Sequence, residues 1–297
     1  MDITLALGGG GAKGNAHIGV IRRLEKEGFR IRAVAGTSFG GLVAVFYALG
    51  YSVDQIEEIF ASRDQTQLYG HAPNDGPSLV GVAGVVRFLK ETIGDRTFDD
   101  LKLPCAVTAV DLKSGNEVII SNGRLMDAIL ATIALPGIFP PRFVNGLELV
   151  DGGTLDPVPV APARKLAPRL PVVAVVLNVP MGVPPQPWNL PLRNYWAGQI
   201  LSYVLSKMRY DSVWDVFSRY LDITTRAVTQ YRLEVDRPEV IIRPQVLHID
   251  TLDVVNVHEV AQKGEEAVEA VLPQLRNLFT WRTFWRRTMG AYNNRSI

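Results

Sequence analysis

Short apolar runs and helical spacings alternate through the first third of the chain. Residues 3–7 form an apolar run that ends in a glycine cluster. Over residues 15–28, Ile18, Ile21 and Leu24 fall on one helical face, and Gly28 closes that helix. Residues 31–35 read as a second strand that breaks at Gly36. A helix follows through Leu42, Val45, Phe46 and Leu49 to Gly50. This β-α-β-α opening implies parallel strands joined by crossover helices. Further helices are expected at 53–62 and 82–92, with an exposed loop at 70–78 between them. Strands are expected at 104–111 and 116–120, joined by a hairpin through Lys113, Ser114, Gly115 and Asn116. A helix should cover 124–134, and residues 147–150 should form a short strand ending at Asp151. Residues 172–177 suit a buried parallel strand. Past the proline-rich stretch at 180–191, amphipathic spacing runs over 193–233. A last strand is expected at 240–242 and a last helix at 256–272.

Composition narrows the function classes. Of 297 residues, 47% are hydrophobic, enough for one large buried core. The 31 basic and 30 acidic residues nearly cancel, which gives no global support for nucleic-acid binding. Cys105 is the single cysteine and lies in a strand-like run, so it reads as a core residue. The start of the chain has no signal-peptide pattern, and no apolar run reaches a membrane span of roughly 20 residues. The expectation is a soluble, cytoplasmic protein, peripheral at most on the inner membrane face.

The first glycine cluster is Gly8-Gly9-Gly10-Gly11-Ala12-Lys13-Gly14, between a strand and a helix. Gly9, Gly11 and Gly14 satisfy a dinucleotide fingerprint, yet no acidic residue ends the second strand. A phosphate-binding P-loop needs Ser or Thr after the lysine, and Gly14 stands there. An oxyanion hole is the favoured reading, because glycines let amide N–H groups turn toward a developing negative charge.

Gly36-Thr37-Ser38-Phe39-Gly40 fits G-x-S-x-G between a strand and a helix, a turn that presents a nucleophilic serine. Such a serine needs a base. Of the four histidines, His17 reads as a packing residue, and His71, His248 and His258 as structural or solvated. Asp151 is better placed, at the end of a short apolar strand and followed by Gly152 and Gly153. Apolar surroundings would raise its pKa toward neutrality.

Taken together, the segments Gly9 to Gly14, Gly36 to Gly40 and Asp151-Gly152-Gly153 resemble the bacterial patatin-like phospholipases. Residues 134–141 and 240–244 are similar to further segments of that family. The resemblance covers roughly residues 2–180 and 238–272. It implies a three-layer α/β/α sandwich with a mainly parallel central sheet. It also implies a Ser38–Asp151 dyad without histidine, and an oxyanion hole at Gly9, Gly10, Gly11 and Lys13. The implied reaction is hydrolysis of phospholipid or lysophospholipid esters, with no metal or cofactor. Phe39 departs from the small residue many members carry after the serine.

An acyltransferase using the same acyl-serine, and a non-catalytic lipid-binding protein, are the competing functions. The chain divides into a domain at 1–275 and a tail at 276–297. That tail carries Arg276, Arg282, Arg286, Arg287 and Arg295, interleaved with Phe279, Trp281, Phe284, Trp285 and Tyr292, and no acid. A cationic, aromatic segment of this kind suits the surface of an anionic membrane.

Overall fold

The computed structural model describes residues 1–71, 76–184 and 210–279, with only the backbone at 210–213. Five parallel strands run side by side in the order β8 (Val240–Ile242), β7 (Val172–Val175), β1 (Asp2–Leu7), β2 (Arg30–Thr37) and β3 (Cys105–Asp111). β3 then pairs antiparallel with β4 (Glu117–Ile120) and with β6 (Leu147–Asp151), and β6 pairs with β5 (Arg142–Val144).

Alternation along the strands sends side chains to two separate cores. Ile3, Leu5, Leu7, Val173 and Val175 enter the larger one. It is covered by α1 (Ala16–Lys26), α2 (Phe39–Ala48), α3 (Val53–Ala61), α4 (Ala83–Thr92), α5 (Leu125–Thr132) and α8 (Val257–Asn277). Ala6, Ala35, Val172 and Ala174 face the other way, onto α6 (Val160–Leu166) and Leu233 of α7 (Tyr210–Asp236). Helices on both faces of a mixed sheet make this an α/β/α sandwich. Cys105 is buried, and burial pushes its thiol up to about 12.

Several elements differ from the expectation. β2 continues through Gly36 to Thr37 rather than stopping at 35, because Gly36 still pairs with Leu7 on one side and Val107 on the other. The glycine loop leads first into a 3₁₀ turn, Gly11–Asn15, and only then into α1. The short strand β5 and the helix α6, which contains Pro162, gave no periodic signal. The spacing over 193–233 corresponds, where described, to the single helix α7. The last helix runs to Asn277, across the boundary placed at 275. Leu278 is buried beyond it, and the Phe279 ring packs 6.1 Å from that of Phe29. Residues 280–297 of the tail lie outside the described residues. Among the described residues no helix is long and apolar enough to cross a membrane.

α1 and α8 cross at glycines. A Cβ at Gly19 would stand 1.7 Å from the Ala261 carbonyl, and one at Gly264 would stand 1.9 Å from that of Ala16. This contact sets the segment before α8 against the glycine loop. Gly264→Val should therefore lower the stability measured by urea unfolding by about 2–3 kcal/mol, the usual cost of overpacking. A loss well under 1 kcal/mol would mean that the crossing tolerates a side chain.

Candidate active site

β3 brings the two functional strand ends together. Thr108 of β3 pairs with Thr37, the last residue of β2. The next residue, Ala109, pairs with Asp151, the last residue of β6. β4 pairs with both Thr108 and Ala109, so it occupies the opposite edge. β2 and β6 thus share one edge of β3, carboxyl end to carboxyl end, and Ser38 meets Asp151 where they abut.

Ser38 has φ 55° and ψ −128°, a left-handed conformation that side chains rarely adopt. The turn is tight enough to exclude larger residues around it. A Cβ at Gly36 would lie 2.3 Å from the Gly40 carbonyl, and one at Gly40 would lie 2.3 Å from that of Leu7. The Ser38 N–H donates to Thr132 Oγ1 at 2.9 Å, which fixes the elbow to the end of α5.

Asp151 is 3% exposed. Its N–H donates to the Ala134 carbonyl, and its Oδ1 accepts the Gly153 N–H at 2.7 Å. The Ser38 hydroxyl acts on the same carboxyl and favours its ionised form. Burial raises the Asp151 pKa to about 6, against the pull of the Ser38 and Gly153 hydrogen bonds. Gly152 lies so close to Thr108 that a Cβ would stand 2.1 Å from its Oγ1.

The glycine loop is held from two sides. Gly8 donates to the Val175 carbonyl at 3.0 Å and Ala12 to that of Thr251 at 2.9 Å. Gly9 donates to the Pro157 carbonyl at 2.9 Å, so its amide is engaged and not available to an oxyanion, contrary to the expectation. The Gly10 and Gly11 amides donate to no acceptor among the described residues. Gly11 has φ +56°, and a Cβ there would strike the Thr251 carbonyl at 2.0 Å. Gly14 abuts the Phe39 ring. Lys13, expected beside these donors, lies in the field of Asp222, Asp250 and Asp253; burial lowers its pKa and these acids oppose the shift.

Among the described residues no histidine hydrogen-bonds to Ser38. His17 is fully buried, and its ring Nε2 is 2.8 Å from the Gly8 carbonyl. Burial lowers its pKa to about 4, so the ring is neutral and Nε2–H is the donor. His258 pairs with Glu57 at 2.7 Å, and His71 lies 3.3 Å from the Ser78 carbonyl. His248 is exposed. No three His, Cys, Asp or Glu side chains among the described residues converge to hold a metal ion.

Beside Ser38 opens a cavity of about 150 Å³, lined mainly by apolar side chains of α2, α3, α4 and the segment before α8. Behind Asp151 lies a cluster with no local sequence signature. Asp156 is 0% exposed and faces Glu117, carboxyl to carboxyl, with Asp236 nearby. Arg232 of α7 serves all three acids. It donates to Glu117 at 2.8 Å and to the Leu155 carbonyl at 2.9 Å, inside the segment that links Asp151 to Pro157. Burial and Glu117 raise the Asp156 pKa, against the pull of Arg232.

The sequence model of the family described as Patatin-like phospholipase matches residues 5–164. The chain is similar to an uncharacterized NTE family protein of Mycobacterium tuberculosis, 37% identical over 59% of this chain and 49% of that protein. It is also similar to the Lysophospholipase NTE1 of Kluyveromyces lactis, 28% identical over 88% of this chain and 18% of that protein. The chain thus spans half or less of the length of these relatives. Among solved structures it is similar to VipD from Legionella pneumophila, with a TM-score of 0.56 and 14% identity over 92% of this chain and 66% of that one. At that identity the likeness is one of fold.

The carboxyl cluster leaves a pH signature. A carboxyl whose folded pKa is raised binds its proton more tightly in the folded state. Its neutral form is therefore favoured by folding, and stability falls as pH rises above the ordinary carboxyl range near 4. Asp156→Asn removes that titration while keeping the shape. The melting temperature of the variant minus that of the wild type should grow between about pH 5 and 8. A constant difference across that range would mean that Asp156 is already ionised in the fold.

Proposed function

The chain belongs to the patatin-like phospholipase family, and from that membership we propose that it is a serine-dependent lipid acyl hydrolase of the phospholipase A or lysophospholipase type. The observation that carries the reading is a serine on a strained elbow facing a buried aspartate whose pKa is raised to about 6. In this reading the Ser38 oxygen attacks the ester carbonyl and its proton passes to Asp151. The tetrahedral oxyanion sits against the Gly10 and Gly11 amides, which donate to no acceptor among the described residues, and the first amide of α2, at Phe39. Collapse expels the alcohol, which takes the proton from Asp151 and leaves an acyl-serine. Water then attacks the acyl carbonyl, Asp151 takes its proton, and Ser38 recovers one as the fatty acid departs. The apolar cavity beside Ser38 suits an acyl chain. The lysophospholipase name of the fungal relatives supports a lysophospholipid among the substrates.

Asp151 acts as a base only when ionised, so kcat/KM should fall as pH drops through about 6 and level off above it. Ser38→Ala should abolish both hydrolysis and fluorophosphonate labelling. Asp151→Asn should cost about 10³-fold or more in turnover, with both variants folded. Single changes of His71, His248 or His258 to Gln should spare activity. Near-normal turnover in Asp151→Asn would rule out the dyad.

The charge pattern of residues 276–297 extends the reading to an anionic lipid surface. Deleting 280–297 should weaken binding to anionic vesicles while sparing activity on a soluble short-chain ester. Equal vesicle binding with and without the segment would refute this role.

A further inference from the structure

We infer that the cavity beside Ser38 is a closed-ended acyl site for medium chains, with Phe60 and Phe88 as its stop; the inference rests on the hydrolase reading above. The contacts lead away from the nucleophile in a fixed order. Phe39 follows Ser38 in the chain and lines the cavity. Its ring meets Phe60 edge to face at 5.7 Å, and Phe60 meets Phe88 in the same way at 6.1 Å. All three rings line the cavity. Behind them Phe46, fully buried, stacks on Phe88 at 5.9 Å with an interplanar angle of 6° and meets Phe60 at 5.4 Å. Arg63 covers Phe88, with its guanidinium carbon 5.3 Å from the ring centroid, and is itself held by Glu91 at 2.8 Å.

This wall is interlocked. Each ring in it touches at least one other, and an ion pair holds Arg63 to Glu91 over Phe88. Leu42, Leu68, Val85 and Val257 are among the other side chains of a lining that is mainly apolar. An alkyl chain is the ligand such a surface recognises, since it buries apolar area and leaves no polar atom unpaired.

The volume sets the length. A dry cavity of about 150 Å³ holds a benzene molecule, roughly six carbons, and this one has about 150 Å³. Allowing for the carbonyl end, which stays at Ser38, the enclosed acyl group has about six to eight carbons. Longer chains must push the wall aside or project from the mouth. Phe39 sits nearest the reacting carbon and narrows the entrance, which favours an unbranched chain.

A series of 4-nitrophenyl esters from acetyl to palmitoyl, read as kcat/KM, tests this. The wild type should peak at about six to eight carbons and lose about tenfold by twelve, the effect of 1.4 kcal/mol. Phe60→Ala and Phe88→Ala should move the peak toward longer chains. Both residues pack in the core, so the opposite change gives an independent arm: Val85→Phe fills the cavity and should move the peak toward the acetyl end. A wild-type peak at twelve or more carbons, or a profile that Val85→Phe leaves unmoved, overturns the acyl-stop assignment while the hydrolase reading stands. A protein that cleaves none of these esters, takes no fluorophosphonate label and releases no fatty acid from lysophospholipid overturns the hydrolase reading itself.

Discussion

The site depends on one feature of strand pairing: β3 gives the same edge to two strands in succession. Thr108 closes the pairing with β2 and Ala109 opens the pairing with β6. One residue more between them would separate Ser38 from Asp151 by a strand step of roughly 3.3 Å. The junction is correspondingly crowded. Thr37 and Thr108 hydroxyls meet at 2.7 Å, Thr37 Oγ1 also donates to the Asp156 carbonyl at 2.8 Å, and Gly152 has no room for a side chain beside Thr108. The segment 152–157 continues from this junction to the Gly9 amide through Pro157. Ser38, Asp151 and the glycine loop are therefore parts of one hydrogen-bonded knot rather than three separate loops.

The knot holds conformations that are unfavourable by themselves. A serine at positive φ costs on the order of 1–3 kcal/mol. Raising a carboxyl from 3.8 to about 6 corresponds to about 3 kcal/mol against the ionised form. Asp156 adds a second buried acid close by, eased by Arg232. The surroundings can hold these states because they are rigid: Ile3, Leu5, Leu7, Val34, Val107 and Val175 are all fully buried in the sheet beneath. Strain gathered at one place on a well-packed scaffold is the pattern expected where local rules give way to chemistry.

What could be read from the sequence was what is local. Gly36 is crowded by Gly40, four residues on, so the elbow shows in five consecutive letters, although Gly40 is itself walled by Leu7 of the distant β1. The strand-then-glycine pattern at Asp151 is equally compact. The amphipathic face of α1 likewise marks His17 as inward-facing. Long-range pairing was not legible. Nothing near Gly9 shows that Pro157 will take its amide, and nothing near Gly11 shows that Thr251 will wall it. Those contacts arise because β7 and β8 return the chain to the far side of β1, and because Gly19 and Gly264 let α8 approach. The Asp156–Glu117–Arg232 cluster joins a turn, an edge strand and a late helix, and no spacing rule connects such segments. α7 carries an amphipathic signal, but its task of clamping the Leu155 carbonyl is invisible until the fold is known.

The same geometry explains why a histidine is not needed in the proposed chemistry. In a serine triad the imidazole stands between serine and acid, and its ordinary pKa near 6.5 suits proton transfer at neutral pH. Here the β3 register brings the strand ends of serine and acid together, and in the proposed mechanism no ring stands between them. A solvated carboxylate in that position would be too weak a base, with a pKa near 4. Burial at 3% exposure shifts Asp151 to about 6, within the range of an imidazole. In the proposed mechanism desolvation thus supplies the basicity that the triad draws from a different side chain. It also ties function to packing: any change that lets water reach Asp151 lowers its pKa and weakens the base, even with every reacting atom in place. His17 cannot take over that task. Its Nε2–H is committed to Gly8, and burial holds its pKa near 4. Its contribution is to fix the carbonyl of Gly8, at the start of the glycine loop.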